Sequence, residues 1–400
     1  MLRLARWVGH LVHRGADKMM SSDSVLADMS SRYKAAMVLS GVGDAMGYRS
    51  GDWEFNFVGA DIHKELKILG GIGKLHIKLP GWPVSDDTVL HLATARALLS
   101  GKPIGDKLYI EFAAEYRKGA LDMKGRAPGN TTSFSISRHN LAKPDGYLSP
   151  YNKRGGGCGA AMRAMCIGLR YPRPDQLLNL IAVSVESGRM THNCPTGYLG
   201  SFAAALFTSY AIQGVPVVSW GCRLVAELPK VLDYVRSVGR DVKENEEQWP
   251  YFTDKWTAYL QERGIDGEDA TEARFPATYG VVERDAFYKS VSFRGWGGSS
   301  GHDAPMIGYD ALLGCKNSWE ELCLAGMLHG GDNDSTGVMA GCWWGALYGM
   351  DQVPKCNYKD LEYRTQLEEL GAKLYHIAEE ERKEFESQEA EDASQATTLD

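Results

Sequence analysis

The chain has 400 residues and a net charge of −7, with 44% apolar and 24% charged residues. That composition excludes collagen, a coiled coil and wholesale disorder, and the length exceeds one small domain. Nine acids and two bases between residues 379 and 400 account for the whole net charge, so the body is neutral and a general basic nucleic-acid face is excluded.

The chain starts with an amphipathic pattern. Leu4, Trp7, Val8 and Leu11 recur at helical spacing, and Arg3, Arg6, His10, His13 and Arg14 take the other side. Residues 1–30 read either as a targeting or membrane-surface segment or as an unstructured extension. From Ser31, read as a helix cap, apolar periodicity predicts a helix through Tyr33, Ala36, Met37 and Val38. Further helices are predicted over 88–100, 109–117, 174–187, 200–212, 222–238, 246–263, 318–328, 335–350 and 360–385. Only Lys74–Leu79 alternates as a strand would. No Pro/Ser linker divides residues 31–385, which read as one large, mostly helical domain. Residues 386–400 are acidic, without period, and read as disordered. No run approaches the roughly 18 apolar residues of a membrane span. Eight scattered cysteines make no disulfide framework and no zinc spacing, which points to reduced thiols.

Glycines gather in loops at 125–130, 155–159, 295–301 and 330–334. Such loops serve tight turns or close approach of backbone to a ligand. Gly155–Gly159, followed by the helix-like Ala160–Met165, has the form of a phosphate cradle. Phe293 and Trp296 offer aromatic faces, and Ser299, Ser300 and His302 add hydrogen-bonding groups.

Two acidic loops, each just before a predicted helix, carry the chemistry: Ser85-Asp86-Asp87-Thr88 and Asp332-Asn333-Asp334-Ser335. Either loop alone reads as a helix cap. The pair is harder to explain so, because a cap needs one side chain and each loop has two carboxylates. Four carboxylates match two divalent cations, and oxygen-only donors select magnesium, manganese or calcium. Asp44 reads as a second layer behind a metal or as a turn residue. His192 reads as a ligand contact or a satisfied loop histidine, and His329 as a ligand neighbour or a helix C-cap. Cys158 lacks a positioned base and is not read as a nucleophile.

These residues resemble the ADP-ribosylglycohydrolase superfamily, and more closely its ADP-ribosylarginine hydrolase branch. The matching segments are Ala35–Tyr48, Ser85–Ala93, Gly125–Gly129, Gly156–Leu169, Glu186–Gly200, Gly295–Met306 and His329–Gly345, in family order and spanning about residues 32–378. The resemblance implies an all-α orthogonal bundle with a binuclear magnesium centre in the Gly/Asp-rich loops. It implies Ser85, Asp86, Asp87, Asp332, Asp334 and Ser335 as ligands of two Mg2+ ions, with Asp86 and Asp87 needed for catalysis. It places Gly129, Asn130, Gly156, Phe293, Gly295, Ser299 and Ser300 against ADP-ribose. Asn130 and Phe293 depart from the family pattern, which has glycine and tyrosine there. The implied activity is magnesium-dependent hydrolysis of the N-glycosidic bond between ribose and an arginine side chain, which reverses mono-ADP-ribosylation. Rivals are a serine-linked, O-acetyl-ADP-ribose or poly(ADP-ribose) substrate, a non-catalytic ADP-ribose binder, and a magnesium-dependent phosphohydrolase. The expected partners are ADP-ribose and mono-ADP-ribosylated proteins, acted on by a monomer in the cytosol, with the mitochondrion as alternative.

Overall fold

A computed structural model describes residues 28–397; the amphipathic pattern at residues 3–14 lies outside them. The described residues form sixteen α-helices: α1 Met29–Tyr48, α2 Gly59–Ile68, α3 Asp86–Leu98, α4 Asp106–Gly119, α5 Asn130–Arg138, α6 Met165–Arg170, α7 Leu177–Arg189, α8 Pro195–Gln213, α9 Trp220–Val238, α10 Val242–Arg263, α11 Val281–Val291, α12 Asp303–Gly314, α13 Trp319–Gly326, α14 Asn333–Tyr348, α15 Lys355–Tyr358 and α16 Arg364–Thr397. The all-α class read from the sequence is what is found. There is no strand among the described residues, only two isolated bridges, Asn56 with Gly331 and Gly157 with Ser300. None of the described helices is long and apolar enough to cross a membrane.

Three local expectations are corrected. Asp28, not Ser31, caps α1: its Oδ1 accepts from Ser31 N at 3.0 Å. The alternation at 74–79 is real, since Leu75 and Ile77 are buried and His76 and Lys78 exposed, but no ladder forms. Ile77 N instead donates to Cys356 O. Residues 386–397, expected to be without structure, continue α16. Helix-forming residues and pairs one turn apart, Arg382 with Glu379 and Glu386, and Gln388 with Asp392, support that continuation.

The centre of the molecule is the antiparallel pair α1 and α14. A Cβ on Gly43 would lie 2.0 Å from Gly337 O, one on Gly47 2.3 Å from Asn333 O, one on Gly341 2.1 Å from Leu39 O, and one on Gly345 2.4 Å from the Ala35 carbonyl carbon. Contacts therefore recur every four residues along each helix, and the two backbones touch over most of their length. Both helices are buried on nearly all sides. This packing carries the start of α14 to the C-terminal end of α1. Gly43→Ala should force the helices apart and destabilise the fold by about 3 kcal/mol. Denaturant unfolding at equilibrium measures this, and a loss under half that size would mean the interface yields.

Candidate metal centre and ligand loops

α3 and α14 meet at their N-termini. Ser85 occupies the N-cap of α3 and accepts from Asp87 N at 3.1 Å, so Asp86 and Asp87 lie in the helix's first turn rather than in a preceding loop. Asp332 holds the N-cap position of α14, yet its side chain makes no capping bond; Asp334 and Ser335 follow in the first turn. Capping thus accounts for Ser85 and for none of the four aspartates. All of these residues are buried.

Asp44, inside α1, fixes the approach of α3. Its Oδ1 accepts from Ser85 N at 2.9 Å, and its Oδ2 accepts from Thr88 N at 3.0 Å and from the Thr88 hydroxyl. It is therefore no turn residue: it caps a second helix from the first. A parallel clamp acts from outside. Arg126 Nη1 donates to Val84 O at 2.7 Å and Nη2 to Glu362 Oε1 at 2.8 Å, and Glu362 Oε2 accepts from Val84 N at 3.0 Å. Asp86 N donates to Arg126 O at 3.1 Å. Arg126→Ala would leave Glu362 largely buried without its cation and release Val84. A destabilisation of roughly 3 kcal/mol is expected, with weaker cation binding, readable by calorimetry with and without magnesium. Unchanged melting would argue against the clamp.

The second acidic segment is held by neighbouring loops. Asp332 N donates to Gly297 O at 2.8 Å, and Phe55 N to Gly331 O at 2.7 Å. Asp285 of α11 ties the start of α2 to the same segment, its Oδ2 accepting from Gly59 N and its Oδ1 from Gly330 N, both at 2.8 Å. This arrangement introduces Glu54, which the sequence reading missed. Its carboxylate and those of Asp332 and Asp334 place one oxygen each within 4.8 Å of one another. A lone Glu between Trp53 and Phe55 carries no pattern to find.

Five acids therefore crowd one buried site with Asp44. Burial, then the charge of Asp334, pushes Asp44 up to about 7 and Glu54 up to about 9. The same two causes raise Asp86, Asp87 and Asp332 well above the carboxylate range. Burial also raises Asp334, against hydrogen bonds to Asp332, to its neighbour Ser335 and to Ser85 that favour its charge. Such a cluster cannot ionise together without positive charge. Asp87 Oδ2 is buried without a hydrogen-bond partner. Oxygen donors, excess negative charge and an orphaned carboxylate oxygen fit hard divalent cations. The cationic side chain acting on Asp86 is Arg163, whose guanidinium is spent on Gly159 O, Ser187 O and the Thr191 hydroxyl.

The glycine loops line the same region. Gly157 bridges Ser300, Cys158 N donates to Ser299 O at 3.1 Å, and Gly301 N to Gly156 O at 3.0 Å, so loops 155–159 and 295–301 are paired. Gly298, at φ 90°, passes within a Cβ's reach (2.7 Å) of Asp332 O. Asp303 Oδ1 accepts from Ser300 N and Oδ2 from Phe293 N, which sets the turn through Gly295. The predicted helix after the phosphate loop is corrected: a three-residue 3-10 turn, Cys158–Ala160, follows, and α6 begins only at Met165. The first turn of α8 packs against this loop instead: a Cβ on Gly156 would lie 3.3 Å from Thr196 Cβ, and one on Gly197 2.2 Å from Gly155 O. Gly129 and Asn130 are exposed at the start of α5, whose Thr132 lies against Gly159. Phe293 and Trp296 are each 49% exposed, and Trp296 packs against Phe55 and Phe57, which makes an aromatic rim.

His192 and His329 are held by protein partners. Burial holds His192 at about 3; its Nδ1 pairs with Thr191 Oγ1, and its ring supports Gly157 and Gly159. His329 pairs with Thr336 Oγ1 at 2.8 Å inside the start of α14 and caps no helix. Burial, then the charges of Asp332 and Asp87, pushes the Cys158 thiol well up, away from nucleophile chemistry.

Comparison with known proteins follows the same lines. The ADP-ribosylglycohydrolase family profile matches residues 26–384. Over 365 residues, 85% of this chain and 93% of the relative, the sequence is 42% identical to a Dictyostelium discoideum protein named ADP-ribosylhydrolase ARH1. It is 30% identical over 238 residues to a Xenopus tropicalis protein named ADP-ribosylhydrolase ARH3, covering 55% of this chain and 60% of that one. A solved structure titled "ADP-ribosylglycohydrolase-related protein complex" shares the fold, with TM-score 0.53 at 19% identity over 88% of this chain and 99% of that chain.

Proposed function

The chain belongs to the ADP-ribosylglycohydrolase family, and from that premise we propose that it is a hydrolase that removes ADP-ribose from arginine side chains with the help of two magnesium ions. The observation that carries the reading is the meeting of two acid pairs at two helix N-termini, where capping uses neither Asp332 nor the free oxygen of Asp87. Glu54, Ser85, Asp86, Asp87, Asp332, Asp334 and Ser335 would hold the ions. When bound, such cations supply Lewis acidity and lower the pKa of a water they orient.

The chain's own groups do the rest. In this proposal Asp87, with an oxygen to spare, accepts a proton from the attacking water. Asp86 sets its negative charge against the oxocarbenium-like carbon as the bond to the guanidine nitrogen lengthens. Asp44 and Arg126 keep the first turn of α3 in place, so that neither carboxylate has to reorganise. The paired loops around Gly156, Gly295, Ser299 and Ser300, with Gly129 and Asn130 at the edge, would position the ADP-ribose, and Phe293 and Trp296 would offer faces to its base. Guanidine is the leaving group; the products are free ADP-ribose and unmodified arginine. The name and 42% identity of the Dictyostelium relative support a hydrolase of this kind.

The test is release of ADP-ribose from matched arginine- and serine-modified peptides, with and without magnesium, beside the folded Asp86→Asn/Asp87→Asn protein. Magnesium-dependent release from arginine alone, absent in the double variant, is expected. Release from serine alone would move the activity to the other linkage, and ADP-ribose binding without release from either would make the protein a binder. Appearance of AMP or phosphate would mean a phosphohydrolase.

A further inference from the structure

Glu54 is placed by other residues. Among the described residues no hydrogen bond or ion pair fixes its carboxylate, which nonetheless offers an oxygen within 4.8 Å of oxygens of Asp332 and Asp334. What is fixed is the backbone on both sides of it. The Trp53 carbonyl, in the peptide before Glu54, accepts from Asn333 Nδ2 at 2.8 Å. Phe55 N, in the peptide after it, donates to Gly331 O at 2.7 Å. Both planar peptides that flank the Glu54 Cα are thus tied to the segment carrying Asp332 and Asp334, and only side-chain torsions remain free.

Asn333 suits its position for a chemical reason. It is fully buried, stands between the two aspartates in the chain, and uses its amide at both ends: Oδ1 accepts from His329 N at 3.0 Å while Nδ2 donates to Trp53 O. An aspartate could not donate, and an alanine could do neither. The same segment is braced at Trp53. Its ring is buried, and its indole N–H donates to Glu65 Oε2 at 2.7 Å. The Arg49 guanidinium lies over the Trp53 and Trp82 rings, 4.7 and 4.8 Å from their centroids, and its Nη1 pairs with Glu65 Oε1 at 2.6 Å.

We propose that Asn333 is a positioning residue: its side-chain amide holds Glu54 as a preformed third carboxylate for the cation taken by Asp332 and Asp334, with the Arg49–Glu65 pair bracing the segment at Trp53. The inference rests on the reading that these carboxylates hold cations, and not on which linkage is cut. A third carboxylate adds most to affinity when it need not be ordered first. Asn333 therefore acts on metal binding through Glu54, and one ion depends on it more than the other.

The experiment is Mn2+ titration of full-length, metal-stripped protein, followed by the loss of free-ion Mn2+ resonance. Wild type, Glu54→Ala, Asn333→Ala and the double variant form a cycle, with circular dichroism to check folding. We expect Glu54→Ala to weaken one ion by about tenfold or more and to leave the other within about threefold. Asn333→Ala should weaken that same ion by about tenfold. The double variant should bind no more weakly than Glu54→Ala, because Asn333 has nothing left to position once the carboxylate is gone. A residue that merely supports the fold behaves otherwise: its loss weakens both ions and adds to the loss of Glu54. Additive losses, equal weakening of both ions, or wild-type binding by Asn333→Ala overturns the proposal. If Asn333→Ala does not fold, Glu65→Ala, which removes the brace at Trp53, enters the same cycle with the same expected and overturning outcomes. Failure of wild type to bind Mn2+ at all overturns the carboxylate centre and this proposal with it. The expected Mn2+ pattern without ADP-ribose release from arginine strikes the linkage alone and leaves this proposal standing.

Discussion

Replacing Asp334 by asparagine should abolish magnesium-dependent hydrolysis and weaken magnesium binding by about 100-fold or more. The same change should leave the metal-free protein as stable as wild type, or more so. The two halves have one cause. After burial, Asp334 is the largest charge raising Asp44, Glu54, Asp86, Asp87 and Asp332. Five carboxylates are thus held in a low-dielectric site largely against Asp334, an arrangement that is unfavourable unless cations are present. Asparagine keeps the shape and one acceptor oxygen and removes the charge. A structural acid would behave in the opposite way, since its loss lowers melting whether or not metal is present. Paired melting curves in chelator and in magnesium separate the cases. A variant that melts well below wild type in chelator, and still gains stability from magnesium, would sink the assignment.

The second large effect is one of pH. For the metal-free protein the raised carboxylates stabilise the fold while protonated. That contribution is complete below their unfolded values near 4 and is lost as pH rises through about 7 for Asp44 and about 9 for Glu54. Buried histidines have the opposite sign. Desolvation holds His91, His192 and His329 at about 3 and His302 at about 4, so their contribution is present above pH 6.5 and is lost as pH falls below it. Between pH 6.5 and 9 the histidines are largely neutral in both states, and the carboxylates set the slope, joined towards pH 9 by buried thiols that burial raises in the same sense. In that window the chelated protein should melt progressively lower as pH rises. The gain on adding magnesium should grow, because protons and cations compete for the same oxygens. Melting in chelator that is flat from pH 6.5 to 9 would show that the acids are already ionised without a cation.

Much of this could be read from the chain. The all-helical class followed from long segments with 3.6-residue periodicity, and α9 and α10 were found nearly to their ends because each has one wet face. α12, Asp303–Gly314, was missed for the converse reason: it is buried on almost every side and has no polar stripe to mark its period. α5 was missed because it is nine residues long and opens in a glycine loop. The acid pairs announced themselves by having more carboxylates than a cap can use. Glu54 did not, since it is a single acid between Trp53 and Phe55, and Asp44 could be read only as a second layer behind a metal or as a turn residue; the importance of both comes from what lies opposite.

By itself the sequence determined the residue chemistry: which segments are helical, that Ser85–Asp87 and Asp332–Ser335 concentrate oxygen donors, and that glycine is concentrated in a few loops. Only the tertiary structure decided that these donors share one site. That depends on two helices distant in the chain lying close enough for Gly43 and Gly337 to touch. Periodicity reports how a segment meets its surroundings, but not which segment it meets. The same contact brings Asp44 to Ser85 and Thr88, and loop pairing then sets Cys158 against Asp332. The electrostatics follow from proximity and burial, because a carboxylate's behaviour is set by the charges and water around it rather than by its neighbours in sequence.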